Sequence, residues 1–225
     1  MSETFADRLE SVEQRIKAAC TNAGRERDEV TLLAVSKTNP PEAVREAVDC
    51  GLRLFGENKV QESQHKLPMC PSGLEWHLIG HLQSNKAKVA ANLFQMIHSV
   101  DSLKLLQALE NHAIQTLPVL LQVNIAGEAA KYGLKPDEVA GVIEEANRMS
   151  RCEVHGLMLI PPFSPDPEKT RAHFSNLRKL RDQLQDETGT PLPELSMGMS
   201  HDLEVAIEEG STWVRIGTDL FGKRG

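Results

Sequence analysis

Apolar residues in this chain recur with two different periods, and the two periods alternate along its length. From about residue 4 to 23, Phe5, Leu9, Val12, Ile16 and Ala19 stand three or four apart with charges between them. Asn22-Ala23-Gly24 closes the pattern, which predicts an amphipathic helix. The next apolar stretch, Thr31-Leu32-Leu33-Ala34-Val35-Ser36-Lys37-Thr38, is continuous and partly β-branched. It predicts a strand buried on both faces, with Leu33, Val35 and Lys37 on one side and Leu32, Ala34 and Ser36 on the other. The strand ends in a lysine and meets Asn39-Pro40-Pro41.

The same alternation continues to the C-terminus. A helix with proline at its start runs from Pro41 to Val48, and Leu52 to Glu57 is a second strand. A helix to about Lys66 leads into the loop Pro68 to Gly73, followed by a third strand, Glu75 to Gly80. Helices at Ser84 to Leu93 and Leu103 to His112 flank a fourth strand, Met96 to Val100. Val119 to Ile125 is a fifth strand, and a helix starts near Pro136. Val154 to Ile160 is a sixth strand, and a proline-rich loop, Pro161 to Pro167, follows it. A long helix from about Glu168 to Glu187 carries Phe174, Leu177, Leu180 and Leu184 on its apolar face. Glu194 to Ser200 gives a seventh strand and its loop, Leu203 to Glu209 a short helix, and Trp213 to Gly217 an eighth strand.

Eight short core strands alternating with helices predict an α/β fold, a single (β/α)8 TIM-type barrel over residues 1–225 with an additional N-terminal helix. That helix takes the place of the one missing after strand eight. A doubly wound open sheet would leave several strands unassigned, and no G-x-G-x-x-G follows the first strand.

Composition narrows the function classes. The 225 residues, 40% hydrophobic, suffice for a sizeable core. A formal net charge of -7 without a run of Lys or Arg argues against nucleic-acid or anionic-membrane partners. Cys20, Cys50, Cys70 and Cys152 lie far apart with no C-x-x-C pair, which indicates reduced thiols rather than a zinc site or a disulfide framework. The N-terminus lacks the pattern of a signal peptide, and no apolar run reaches membrane-spanning length, so the expected location is the cytoplasm.

Chemistry enters where strands end, because a barrel of this type works at its C-terminal face. An ammonium at the end of a core strand either snorkels to water or is desolvated, and burial turns it into the neutral amine that forms a Schiff base. Lys37 is that candidate. Phosphate in such barrels is often held by the loops after strands seven and eight. Here these read Met197-Gly198-Met199-Ser200 and Gly217-Thr218, ahead of an Asp219-Leu220-Phe221 turn stopped by Gly222. Each glycine or hydroxyl alone is more commonly a turn or a cap. Together they make a cradle of backbone N–H groups and hydroxyls that needs no lysine. Arg215 shares a strand side with Gly217, and an arginine inside a barrel pairs either with a carboxylate or with a ligand. Asn58 and His77 are weaker candidates, a lone buried histidine being more often a satisfied core residue.

The segments Leu33 to Thr38, Phe55-Gly56-Glu57-Asn58, Glu75 to Gly80 with Leu82-Gln83-Ser84-Asn85-Lys86, Gly156-Leu157-Met158, Leu195 to Ser200 and Val214 to Thr218 carry a family resemblance. With them the chain resembles the pyridoxal 5'-phosphate homeostasis protein family (YggS type), itself similar to the barrel domain of alanine racemase. The resemblance implies pyridoxal 5'-phosphate (PLP) as cofactor, with Lys37 as the Schiff-base lysine. It implies that Ser200, Gly217 and Thr218 hold the phosphate, that Arg215 faces the pyridine nitrogen, and that the site holds no metal. Two positions depart from the family: Lys59, where an aromatic residue or arginine is frequent, and Tyr132, in the loop from Glu128 to Gly133.

The function implied is binding, buffering or delivery of PLP without an established catalytic turnover, with apo-PLP enzymes as recipients; a monomer is expected. The alternatives are a PLP-dependent amino-acid racemase or decarboxylase, and a Schiff-base aldolase without PLP. A racemase needs bases on both faces of the cofactor, and the chain stops at Gly225 with no added domain to supply the second. Tyr132 is the one phenol on the predicted site side. Arginine at the ring nitrogen also weakens the ring as an electron sink.

Overall fold

The structure, a computed structural model, describes residues 3–128 and 131–222. The strands β1 (Thr31–Val35), β2 (Leu54–Glu57), β3 (Glu75–Leu78), β4 (Met96–Val100), β5 (Leu117–Gln122), β6 (Cys152–Met158), β7 (Glu194–Met199) and β8 (Trp213–Ile216) pair in chain order and all in parallel. β8 pairs with β1, which closes the barrel. Between strands run α2 (Pro41–Asp49), α3 (Val60–Lys66), α4 (Ala87–Leu93), α5 (Leu103–Glu110), α6 (Val139–Ala146), α7 (Arg171–Thr188) and α8 (Leu203–Glu208). α1 (Phe5–Asn22) precedes β1, and the short α9 (Thr218–Phe221) follows β8.

Helix α1 starts in a capping box, with Thr4 accepting from the Asp7 N–H while Asp7 accepts from Thr4. It buries Phe5, Val12, Ile16 and Ala19 and packs on α8 and α9, where Phe5 meets Phe221 edge-on at 5.4 Å. Arg8 Nε donates to Leu220 O at 2.6 Å. It therefore fills the place of the helix expected after β8.

Strand parity sorts the chain into two layers. Leu32, Ala34, Leu78, Ile97, Leu121, Leu157, Leu195 and Val214 face outward into one continuous core with the helices. Each fully buried leucine there contributes roughly 1.5–3 kcal/mol. Leu33, Val35 and Ile79 face inward, as do Met96, Leu120 and Met158, and Trp213 touches both groups. The interior is otherwise polar, with His77, His98, Ser196 and Arg215 all buried.

Several strands stop short of the range their apolar residues suggest, β1 at Val35 rather than Thr38 and β3 at Leu78 rather than Gly80. β5 and β6 begin two residues earlier and end at Gln122 and Met158. The residues just past these ends still donate one backbone bond to the neighbouring strand, Ile79 to Glu57, Val123 to Met158 and Leu159 to Ser196. They stay apolar because they remain buried, Ile79 in the inner cluster and Val123 and Leu159 in the core against the helices. All four cysteines are free thiols. Among the described residues no helix is long and apolar enough to cross a membrane.

Candidate functional site

The mouth is built around the turn after β1. Asn39 N–H donates to Ser36 O at 3.0 Å, closing a reverse turn whose third residue, Thr38, has φ 65°. A left-handed backbone at a β-branched residue costs on the order of 1–2 kcal/mol, so the surroundings must impose it. Two ties do so. On the outer face, Ser36 Oγ donates to Glu57 Oε1 at 2.6 Å, and Lys66 Nζ reaches Glu57 Oε1 (2.7 Å), Ser36 O (2.7 Å) and Ser36 Oγ (3.1 Å). On the turn itself, Asn39 Nδ2 donates to Lys37 O. Ser36 is pinned outward, and strand parity carries half-buried Lys37 to the inner side.

Neighbouring Lys37 in the closed barrel is the end of β8. Leu33 is in register with Arg215, and a Cβ on Gly217 would lie 3.4 Å from Val35 O. Arg215 is 3% exposed, donating from Nη1 to Ser196 Oγ (2.8 Å) and from Nη2 to Leu159 O (3.0 Å). Burial lowers its pKa to about 10, with the Asp202 charge opposing.

Ser200 and the start of α9 come together as the two-loop cradle requires, the Asp219 N–H pointing at Ser200 Oγ at 3.4 Å. Gly198 has φ 91°, and a Cβ there would sit 2.5 Å from Ala206 Cβ, so the turn into the Ser200 loop admits only glycine. Arg15 on α1 clamps both loops, donating to Ser200 O (2.9 Å), Glu204 Oε1 (2.6 Å) and Asp219 Oδ2 (2.5 Å).

Asn58 follows β2, its backbone pressed against Gly80, where a Cβ would lie 2.2 Å from Asn58 O. Its Oδ1 is buried and has no hydrogen-bond partner among the described residues. Such an orphaned acceptor calls for a donor supplied by a ligand. His77 instead lies inside the barrel with both ring nitrogens bonded to protein, Nδ1 to His98 Nε2 (3.0 Å) and Nε2 to Glu75 Oε1 (2.9 Å). Lys59 is exposed and its amine is engaged by Glu62 at 2.6 Å. Tyr132 is exposed and stacks on His81 with centroids 3.5 Å apart, and His81 pairs with Asp101. The rest of the Glu128 to Gly133 loop includes residues 129 and 130, which lie outside the described residues.

Sequence reasoning passed over Arg15, Glu75, His98 and Ser196. His98 and Ser196 carried a usable signal, since both are polar residues two positions from an inward-facing neighbour, Met96 and Glu194. Arg15 carried none, being an ordinary charge on a helix.

The fold is a closed parallel (β/α)8 barrel with an amine just past β1 and small, hydroxyl-bearing turns after β7 and β8, the face at which such barrels carry their sites. Residues 8–225 match the model of the family described as alanine racemase, N-terminal domain. A pyridoxal phosphate homeostasis protein of Aquifex aeolicus is 46% identical over 222 residues, covering 97% of each chain. PipY of Synechococcus elongatus, solved with PLP bound, superposes with a TM-score of 0.85 at 38% identity, covering 97% of this chain and 100% of that one. An alanine racemase of Clostridium difficile shares the fold at a TM-score of 0.76 and 16% identity, with 97% of this chain matching 57% of that one. The chain belongs to the pyridoxal phosphate homeostasis protein family.

Proposed function

We propose that this chain binds PLP at the mouth of its barrel, holds it through Lys37, and buffers it or hands it to apo-PLP enzymes. The residues fit the group. The orphaned Asn58 Oδ1 suits a hydroxyl or N–H donor rather than the phosphate, and the glycine-containing loops after β7 and β8 leave room for an anion. When bound, PLP supplies an aldehyde that an amine captures reversibly, a phosphate, and a basic ring nitrogen.

Lys37 provides the amine, aimed by the Ser36–Asn39 turn. Arg215 donates toward the ring nitrogen and keeps its own proton, which withholds from the ring the protonation that most PLP enzymes exploit. Ser200 Oγ, the backbone of Gly217, and the N–H and hydroxyl of Thr218 would hold the phosphate. The observation that supports this reading is the closure of β8 onto β1, with Leu33 in register with Arg215 and Gly217 against Val35 O, so that the turn carrying Lys37 follows β1 at the same end of the barrel as the loop after β8. The sequence of 225 residues acts in this account as one PLP-binding unit, a cytoplasmic monomer that carries the cofactor without turning over amino acids.

Absorbance titration tests it. The protein is expected to take up PLP with a spectral shift, and pyridoxal far more weakly. Ser200→Ala or Thr218→Val should each raise the PLP dissociation constant by roughly tenfold, since charge-assisted hydrogen bonds are worth about 1.5–3 kcal/mol. Equal affinity for PLP and pyridoxal would remove the cradle.

A further inference from the structure

Among the described residues no carboxylate lies at salt-bridge distance from Arg215, yet its charge is not left without compensation. From Nη1 a line of hydrogen bonds crosses the barrel: Ser196 Oγ at 2.8 Å, then His98 Nδ1 at 2.9 Å from that oxygen, then His98 Nε2 to His77 Nδ1 at 3.0 Å, then His77 Nε2 to Glu75 Oε1 at 2.9 Å. Glu75 starts β3 and is exposed at the opposite rim from the mouth.

The two ends fix the direction of every bond. A guanidinium only donates and a carboxylate only accepts, while a neutral imidazole does one of each. With both rings neutral, Arg215 donates to Ser196, Ser196 O–H to His98 Nδ1, His98 Nε2–H to His77 Nδ1, and His77 Nε2–H to Glu75. All protons have acceptors. A second proton on His77 would reverse the histidine pair, turn His98 Nδ1–H onto Ser196, and leave the serine hydroxyl proton without its acceptor beside Arg215. Trp213 packs on both rings, with centroids 5.1 Å from His77 and 5.5 Å from His98, and donates from Nε1 to Glu194.

We propose that Glu75 is a positioning residue for Arg215: its acceptor-only carboxylate sets the donor direction of the whole line, keeps Ser196 as the acceptor for Nη1, and so aims the guanidinium at the cofactor's ring nitrogen. This rests on the PLP reading above. It gives His77 a role inside the barrel, through Arg215, rather than against the ligand.

Nitrogen-15 NMR of the imidazoles, recorded without PLP, reads the line directly. The wild-type chain should show Nε2–H tautomers for both His77 and His98. Glu75→Lys places a donor at the rim and should convert both to Nδ1–H, with the PLP dissociation constant raised by about tenfold. Glu75→Gln retains an acceptor oxygen, so it should keep the Nε2–H tautomers and recover most of the affinity. Glu153→Lys makes the same charge change at an exposed site outside the line and should leave affinity unchanged. In a Ser196→Ala background, Glu75→Lys should add no further loss. If Glu75→Lys does not fold, Glu75→Met should yield mixed tautomers at His77 and a similar loss of affinity.

Tautomers that ignore residue 75, affinity that ignores the tautomers, or an equal loss in Glu153→Lys overturns the proposal. Failure of the wild-type chain to bind PLP at all would instead sink the reading of the site, and the positioning claim with it. The apo spectra would still report whether the line exists.

Discussion

Two buried cations lie on opposite sides of the barrel wall, Lys66 outside against β1 and β2 and Arg215 inside on β8, and they are compensated in opposite ways. Outside the barrel, Lys66 meets Glu57 directly at 2.7 Å and also reaches Ser36 O and Ser36 Oγ. Inside, Arg215 bonds a serine hydroxyl and a backbone carbonyl, feels the Asp202 charge without a salt bridge to it among the described residues, and connects to Glu75 only through a line of neutral groups. A contacting carboxylate saturates a cation and makes it a structural tie. Neutral acceptors hold a cation in place while leaving its field for something else. The contrast assigns Lys66 to the framework that aims Lys37 and Arg215 to the ligand.

The sharpest way to break the comparison is to remove one anion. Glu57→Ala leaves Lys66 buried without its partner and should cost about 3–5 kcal/mol of stability, read as a lowered denaturant midpoint. Arg215→Met takes away a desolvated cation with its charge and should cost clearly less stability while abolishing most PLP affinity. Equal destabilisation by the two would erase the distinction.

Acidity probes the inner line next. Burial first, and also the Arg215 charge, hold His98 well below the usual histidine range in the folded chain. An unfolded histidine takes its proton near pH 6.5, so below about 6.5 the unfolded chain binds a proton that the folded chain refuses. Stability should therefore fall as pH drops below about 6.5, by up to about 1.4 kcal/mol per unit. His98→Gln should flatten that slope; an unchanged slope in the variant would place the proton elsewhere.

The smallest effect lies at the turn joining the two regions. Thr38→Gly relieves the left-handed backbone at φ 65° and should alter stability by no more than about 1 kcal/mol, strain relief being offset by the entropy glycine regains on unfolding. Its effect on PLP affinity should be an increase in the dissociation constant, because Lys37 is aimed less firmly.

The inner line and the outer tie differ as much in legibility as in chemistry. Lys37, Arg215 and Gly217 could be placed from strand parity alone, because each sits on or just past a strand with a two-residue period. The closed order of eight strands followed from the alternation of periods, and α1 filled the expected gap. Glu75, His77, His98 and Ser196 could not be joined in advance, since 21 residues separate the two histidines and 98 separate His98 from Ser196. Only closure of the barrel brings them across a common interior. Arg15 reaches Ser200 across 185 residues for the same reason. Strand ends were overextended because residues just past the ladders stay as buried as the ladders themselves, Ser36, Ile79, Val123 and Leu159 among them.

The most direct test of the account is chemical trapping at the mouth. The wild-type protein is incubated with PLP, reduced with borohydride, digested and mapped by mass spectrometry, alongside Lys37→Ala. The account predicts a reduced pyridoxyl group on the peptide carrying Lys37 and its disappearance in Lys37→Ala, with the stability of that variant near wild type. Labelling confined to Lys59, Lys66 or Lys86, undiminished in Lys37→Ala, would contradict it.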